Sequence, residues 1–149
     1  MLRPETFDLC RIALPARPLK KMSDIRQFLA ATTYAVAGAS GDRSKFGNRV
    51  FRCLLRSGRQ TWPLNPNATE VEGHRTFPDI RSLPAVPESL SIITPPDITR
   101  QVVAEAVTAG VTNIWMQPGA GDAEASAMAR GAGINVIDDG SCILVELGE

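Results

Sequence analysis

The sequence predicts an α/β fold, a doubly wound and mainly parallel sheet with helices on both faces. Three observations predict it. Short apolar runs of strand length alternate with longer stretches of helical period from Ser23 onward. The first such run, Thr33-Tyr34-Ala35-Val36-Ala37, is continuously apolar after its first residue, as in strands buried on both faces. It ends in a glycine-rich loop that opens a helix. Repeated strand–helix units imply right-handed crossovers between parallel strands.

The 149 residues suit one domain of ordinary size. Residues 1–22 differ from the rest. Arg3, Arg11, Arg17, Lys20 and Lys21 stand among Pro4, Pro15 and Pro18 without clean periodicity. They read as a poorly ordered N-terminal extension or surface strap, and residues 23–149 as the domain. Met22, followed by Ser23-Asp24-Ile25, is a candidate translation start.

Ser23 can cap a short helix with Ile25, Phe28 and Leu29 on one face. After the 33–37 strand and the loop from Gly38 to Gly47, a helix puts Val50, Phe51, Leu54 and Leu55 on one face. Gly58 stops it. Thr61-Trp62-Pro63-Leu64 reads as a second strand, whose proline suits a strand start or a sheet edge. Residues 67–88 are rich in Pro and Gly and are expected to hold a short strand and a short helix. Leu90-Ser91-Ile92-Ile93 is a strand closed by Thr94-Pro95-Pro96. The next helix buries Ile98, Val102, Val103, Ala106 and Val107 and ends at Gly110. Asn113-Ile114-Trp115-Met116 is a strand, 122–132 an Ala-rich helix, Ile134-Asn135-Val136-Ile137 a strand, and Ile143-Leu144-Val145 reads as one more.

Composition excludes several classes. Lys+Arg and Asp+Glu balance at 16 each, so the basic excess typical of nucleic-acid binding is missing. No apolar run approaches the roughly 18 residues that span a bilayer. Cys10, Cys53 and Cys142 are scattered and odd in number, which argues against a disulfide framework and a zinc site. A reducing, cytoplasmic compartment is the expectation.

In doubly wound sheets ligands bind beyond the strands' carboxyl ends, where strand order reverses. The loops expected to converge there are 38–47 and 94–97, after the first and fourth strands. The first suits a phosphate. Gly38 and Gly41 allow close backbone approach, and Gly47 and Asn48 open a helix whose N–H groups and dipole favour an anion. Ser40 and Ser44 add hydroxyls, and Arg43, Lys45 and Arg49 add charge. A dinucleotide site would want G-x-G-x-x-G and an acidic residue about 20 residues on. Here Asn65-Pro66-Asn67 stands at that second position.

Val36-Ala37-Gly38-Ala39-Ser40, Gly47 and Trp62-Pro63-Leu64-Asn65-Pro66 together resemble the small stand-alone CoA-binding proteins. Gly73, Phe77-Pro78, Leu83-Pro84, Ile114-Trp115-Met116-Gln117, and Asp138 with Cys142 and Glu146 continue the resemblance, which runs from about Asp24 to Glu149. It implies a Rossmann-like fold similar to the CoA-binding domain of the succinyl-CoA synthetase alpha subunit, with coenzyme A or an acyl-CoA as ligand. Carried over by position, Gly38, Ala39, Ser40, Lys45 and Gly47 surround the phosphates, with Arg43 adding charge from the same loop. Asn65 and Pro66 lie by the adenosine, Thr94, Pro95 and Pro96 line the site, and Gln117 sits near the pantetheine. Asn67 departs from the basic residue that relatives often carry there.

Other chemistry-bearing residues read more simply as structure. His74 is an exposed loop residue, Cys142 a small packed one, Asp138 and Asp139 loop caps, and Trp115 and Met116 core. No nucleophile–base set or metal cluster is visible. The expected function is therefore a non-catalytic CoA-binding carrier or regulatory module. It would act with a protein partner or as a homo-oligomer, without nucleic acid or membrane. The alternative is an enzyme, an NAD(P)-binding oxidoreductase or an acyl-CoA ligase subunit.

Overall fold

The computed structural model describes residues 20–148; the extension expected over residues 1–22 falls, up to residue 19, outside them. Helix α1 (Lys20–Leu29) leads into strand β1 (Thr33–Ala37), helix α2 (Phe46–Arg56) and strand β2 (Gln60–Leu64). A hairpin of β3 (Glu70–Val71) and β4 (His74–Arg75) and a 3₁₀ turn (Ile80–Ser82) follow. Then come β5 (Ser89–Ile92), α3 (Pro96–Ala109), β6 (Asn113–Met116), α4 (Ala123–Gly131), β7 (Asn135–Ile137) and α5 (Ile143–Glu146).

Five strands form one parallel sheet in the order β2-β1-β5-β6-β7. Counted within the sheet this is 2-1-3-4-5, a doubly wound order whose reversal lies between β1 and β5. The α/β Rossmann-like class read from the sequence holds. Alternate residues of each strand feed two cores. Ala35, Leu90, Ile92, Ile114 and Met116 pack on α3 and α4. Tyr34, Val36, Trp115 and Ile137 pack on α1, α2 and α5. Each large side chain so buried contributes about 1.5–3 kcal/mol. On the second face Phe28 stands edge-on to Trp115 at 5.2 Å and to Tyr34 at 5.8 Å.

Four details depart from the sequence reading, one being Ile98, expected in the core but exposed on α3. Helix α1 begins at Lys20, so Ser23 falls within the helix and not at its start. Residues 67–88 give a separate two-stranded hairpin and a 3₁₀ turn, so β5 is the sheet's third strand, where its place along the chain suggested the fourth. Residues 143–146 form helix α5 and not a strand; Gln117 Oε1 takes the Ile143 N–H at 2.9 Å at the helix's start. Pro63 sits on β2, which is an edge strand, as its missing N–H requires.

Candidate functional site

The loops after β1 and β5 meet at the reversal of strand order. Ile93 donates its N–H to Ala37 O at 2.9 Å, and Gly38 donates to Leu64 O at 3.2 Å, tying three strand ends together. Gly38 has φ +96°, and a Cβ there would lie 2.9 Å from Ile93 O. Gly47 is the tighter case: a Cβ would lie 2.0 Å from Gly38 O. Only glycine lets the first turn of α2 press against the loop's first residue.

The loop is wound by its own side chains. Ser40 Oγ accepts from the Asp42 N–H at 3.0 Å. Asp42 Oδ1 takes the Ser44 N–H and hydroxyl at 2.9 and 2.7 Å, bonds that hold the Asp42 carboxyl below its usual range. The Ser44 hydroxyl is thus committed to the loop, whereas the Ser40 hydroxyl keeps its proton for another partner. Lys45 stands at the N-cap of α2 and offers no capping acceptor. Among the described residues the N–H groups of Gly47 and Asn48 meet no carbonyl or capping side chain. Both residues are buried, while Lys45 and Arg49 are exposed beside them. Free first-turn N–H groups, a helix dipole and two exposed cations make a place where a phosphate fits.

Asn65 faces this loop and braces it. Its Nδ2 donates to Ala39 O at 2.7 Å, its Oδ1 takes the Asn67 N–H at 2.7 Å, and its own N–H reaches Phe77 O at 2.9 Å. Ala39 itself is buried in the second core. Beside the loop lies a pocket of about 350 Å³ at the mouths of β1, β2 and β5. Gly38, Pro66 and Thr94 line it with apolar Leu64, Ile98 and Val102. Asp79 and Glu105 also line it. Its walls, apolar with two carboxylates, therefore suit a flat ring better than an anion.

The other expected residues are placed as follows. Thr94 Oγ1 shares a 2.7 Å hydrogen bond with Thr99 Oγ1, and Pro95 and Pro96 form the exposed start of α3. Arg43 is paired through Nε with Glu72 at 3.2 Å. Gln117 is not brought to the pocket: its buried amide donates to Ser91 Oγ at 3.2 Å and accepts from Ile143 N–H. His74 is exposed on β4 with its ring edge-on to Phe51 at 5.5 Å. Asp138 is paired with Arg130 at 2.9 Å. Among the described residues no cluster of three or more His, Cys, Asp or Glu could hold a metal, and no helix is long and apolar enough to cross a membrane.

Sequence reasoning missed the importance of Asn48. It is wholly buried, and its Nδ2 donates to Ser40 O at 2.8 Å and to Glu72 Oε2 at 3.0 Å, while its Oδ1 takes the Arg52 Nε–H at 2.7 Å. Only the Arg52 bond, four residues along the same helix, has a spacing visible in sequence.

Residues 32–148 match the CoA binding domain family. The chain belongs to that family. A curated relative, the alpha subunit of the ADP-forming acetate–CoA ligase II of Pyrococcus furiosus, is 30% identical over 81 residues. That alignment takes in 54% of this chain and 18% of the relative, so the chain spans under a fifth of that ligase subunit. Two solved structures match at nearly their own full length. A conserved hypothetical protein from Pyrococcus furiosus has 37% identity and a TM-score of 0.72, covering 76% of this chain and 97% of that one. A hypothetical protein from Pyrococcus horikoshii has 26% identity and a TM-score of 0.80, covering 91% and 94%. Sequences similar to this chain thus occur both as small proteins of about its own length and as part of a ligase subunit.

Proposed function

We propose that this CoA-binding domain takes coenzyme A or an acyl-CoA through the loop after β1, as a non-catalytic carrier or regulatory module. The observation that carries the reading is the uncapped start of α2, wedged against Gly38 by Gly47, in a chain whose family is defined by CoA binding. The N–H groups of Gly47 and Asn48, the Ser40 hydroxyl, Lys45 and, with Arg43, Arg49 hold the phosphates. Pro66, Leu64 and Ile98 pack on the adenine, with Asn65 holding the loop beneath it. Thr94, Pro95 and Pro96 form the opposite lip. Gln117 acts from below, by bracing the end of β6. Coenzyme A supplies the thiol that carries an acyl group; the protein binds and orients it.

Thermal unfolding with CoA, acetyl-CoA, NAD, NADP and ATP tests the reading. A ligand at 100 times its Kd stabilises by about 2.7 kcal/mol. Stabilisation by CoA species, lost in Lys45→Ala with Arg49→Ala, is the expected result. Stabilisation by NAD with none by CoA would overturn it and favour an oxidoreductase.

A second reading has the ligase relative in its favour. Here the domain serves as the CoA-binding part of a larger acyl-CoA ligase. Recovery of this chain with a nucleotide-binding ligase subunit on size exclusion, and CoA-dependent ADP release by the mixture, would support that role. Migration as a lone chain or a homo-oligomer in the presence of such a subunit would count against it.

A further inference from the structure

The β3–β4 hairpin reaches back over the loop after β1, and its tip holds an unusual residue. Glu72 and Gly73 both have positive φ, 51° and 80°, as the two centre positions of a tight hairpin turn require. Such turns favour Asn, Asp or Gly at the first centre position. Among the described residues Glu72 is the one non-glycine residue in this region of backbone space. A glutamate held there against its preference invites a reason beyond the turn.

The reason lies in its carboxylate. Oε2 accepts from Asn48 Nδ2 at 3.0 Å and pairs with Arg43 Nε at 3.2 Å. Asn48 ties the same group to Ser40 O, and Arg52 reaches from Asn48 Oδ1 to Arg43 O at 3.3 Å. The hairpin tip thus grips Arg43, the loop's first cation, directly and the loop's start at Ser40 through Asn48. The Arg43 side chain is 66% exposed, so a competing anion can reach it.

We propose that Glu72 is an electrostatic clamp on the phosphate-binding loop, holding the Arg43 guanidinium against the hairpin and competing with a ligand phosphate for it. The inference rests on the CoA reading above. Coenzyme A is a polyanion, and a fixed carboxylate within 3.2 Å of a binding cation lowers the affinity for it. Glu72 is in this sense a specificity-determining residue: it disfavours ligands whose phosphates cannot displace it.

Calorimetric titration with CoA at two salt concentrations tests the clamp, using the wild-type chain, Glu72→Gln, Arg43→Gln and the double variant. Glu72→Gln keeps an oxygen for Asn48 Nδ2 and loses only the charge. It is expected to bind CoA about two- to fivefold more tightly, the range set by an exposed ion pair. Its affinity should also fall more steeply with salt, because one more cation faces the ligand. In the Arg43→Gln background the gain should vanish. A residue that merely shaped the hairpin would give weaker binding and an unchanged salt slope. Unchanged or weaker binding by Glu72→Gln, or a gain that persists without Arg43, overturns the clamp while leaving the CoA reading intact. Failure of wild type and variants alike to bind CoA overturns both.

Discussion

Gly47 and Gly41 lie six residues apart in one loop and the helix it opens, yet the structure assigns them opposite tolerances. A Cβ on Gly47 would sit 2.0 Å from Gly38 O, whereas one on Gly41 would meet nothing closer than Glu70 O at 4.0 Å. Gly47→Ala should destabilise by about 1–3 kcal/mol, as overpacking does, and should abolish CoA binding. Gly41→Ala should change stability by less than about 0.5 kcal/mol. Urea denaturation of the two variants checks this; equal effects would contradict the wedge. Asn48→Ala removes a buried amide that holds Ser40 O, Glu72 and Arg52 together. It should cost about 1–3 kcal/mol and speed hydrogen exchange of the Asp42 and Ser44 amides. A variant as stable as the wild type, with unchanged exchange, would show that the network contributes nothing.

Among the elements, α4 carries the clearest electrostatic signature. Its N-cap Asp122 accepts from Ala125 N–H at 2.9 Å and from Arg100 Nη2, on α3, at 2.8 Å. The Arg100 guanidinium, then the backbone N–H of Ala125, hold its carboxyl down from 3.8 to about 2. A folded-state value below the unfolded one means that the stabilisation is complete above about pH 3.8 and is lost as pH falls through about 2. Asp122→Asn should therefore lower stability at neutral pH and flatten its fall between those two values. Urea midpoints across that range test this, and parallel curves for the two chains would contradict it. The elements also divide by how far they could be read from sequence. β1, α2, β5, α3, β6 and α4 announce themselves through period and caps. The β3–β4 hairpin does not, because two-residue strands have no period and its anchor is the packing of Glu72 on Asn48. The three apolar residues 143–145, two of them β-branched, favour a strand locally, yet they form helix α5. The Gln117–Ile143 bond at its start comes from 26 residues away.

At the scale of the whole molecule, the doubly wound order puts the first and third strands of the sheet side by side, and the site follows from that choice. The convergence of loops 38–47 and 94–97 was legible because parallel α/β topology permits few arrangements. Which polar side chains around those loops are held by distant partners was not. Asn65, assigned to the adenosine, spends its amide on Ala39 O, and Gln117, assigned to the pantetheine, is buried between Ser91 and Ile143. In each case a partner distant in sequence takes the polar group. The match of nearly full-length small chains and of part of a ligase subunit fits a domain that carries its own two-faced core into either setting.

The most direct test of the central claim is amide chemical-shift mapping of the ¹⁵N-labelled chain during titration with CoA. The account predicts a saturable response concentrated on residues 38–49, with a second group at 64–66 and 94–98. A response confined to the separate apolar cavity between the 3₁₀ turn and α3, around Leu83, Val86 and Thr108, would contradict it, as would no saturable response to CoA at all.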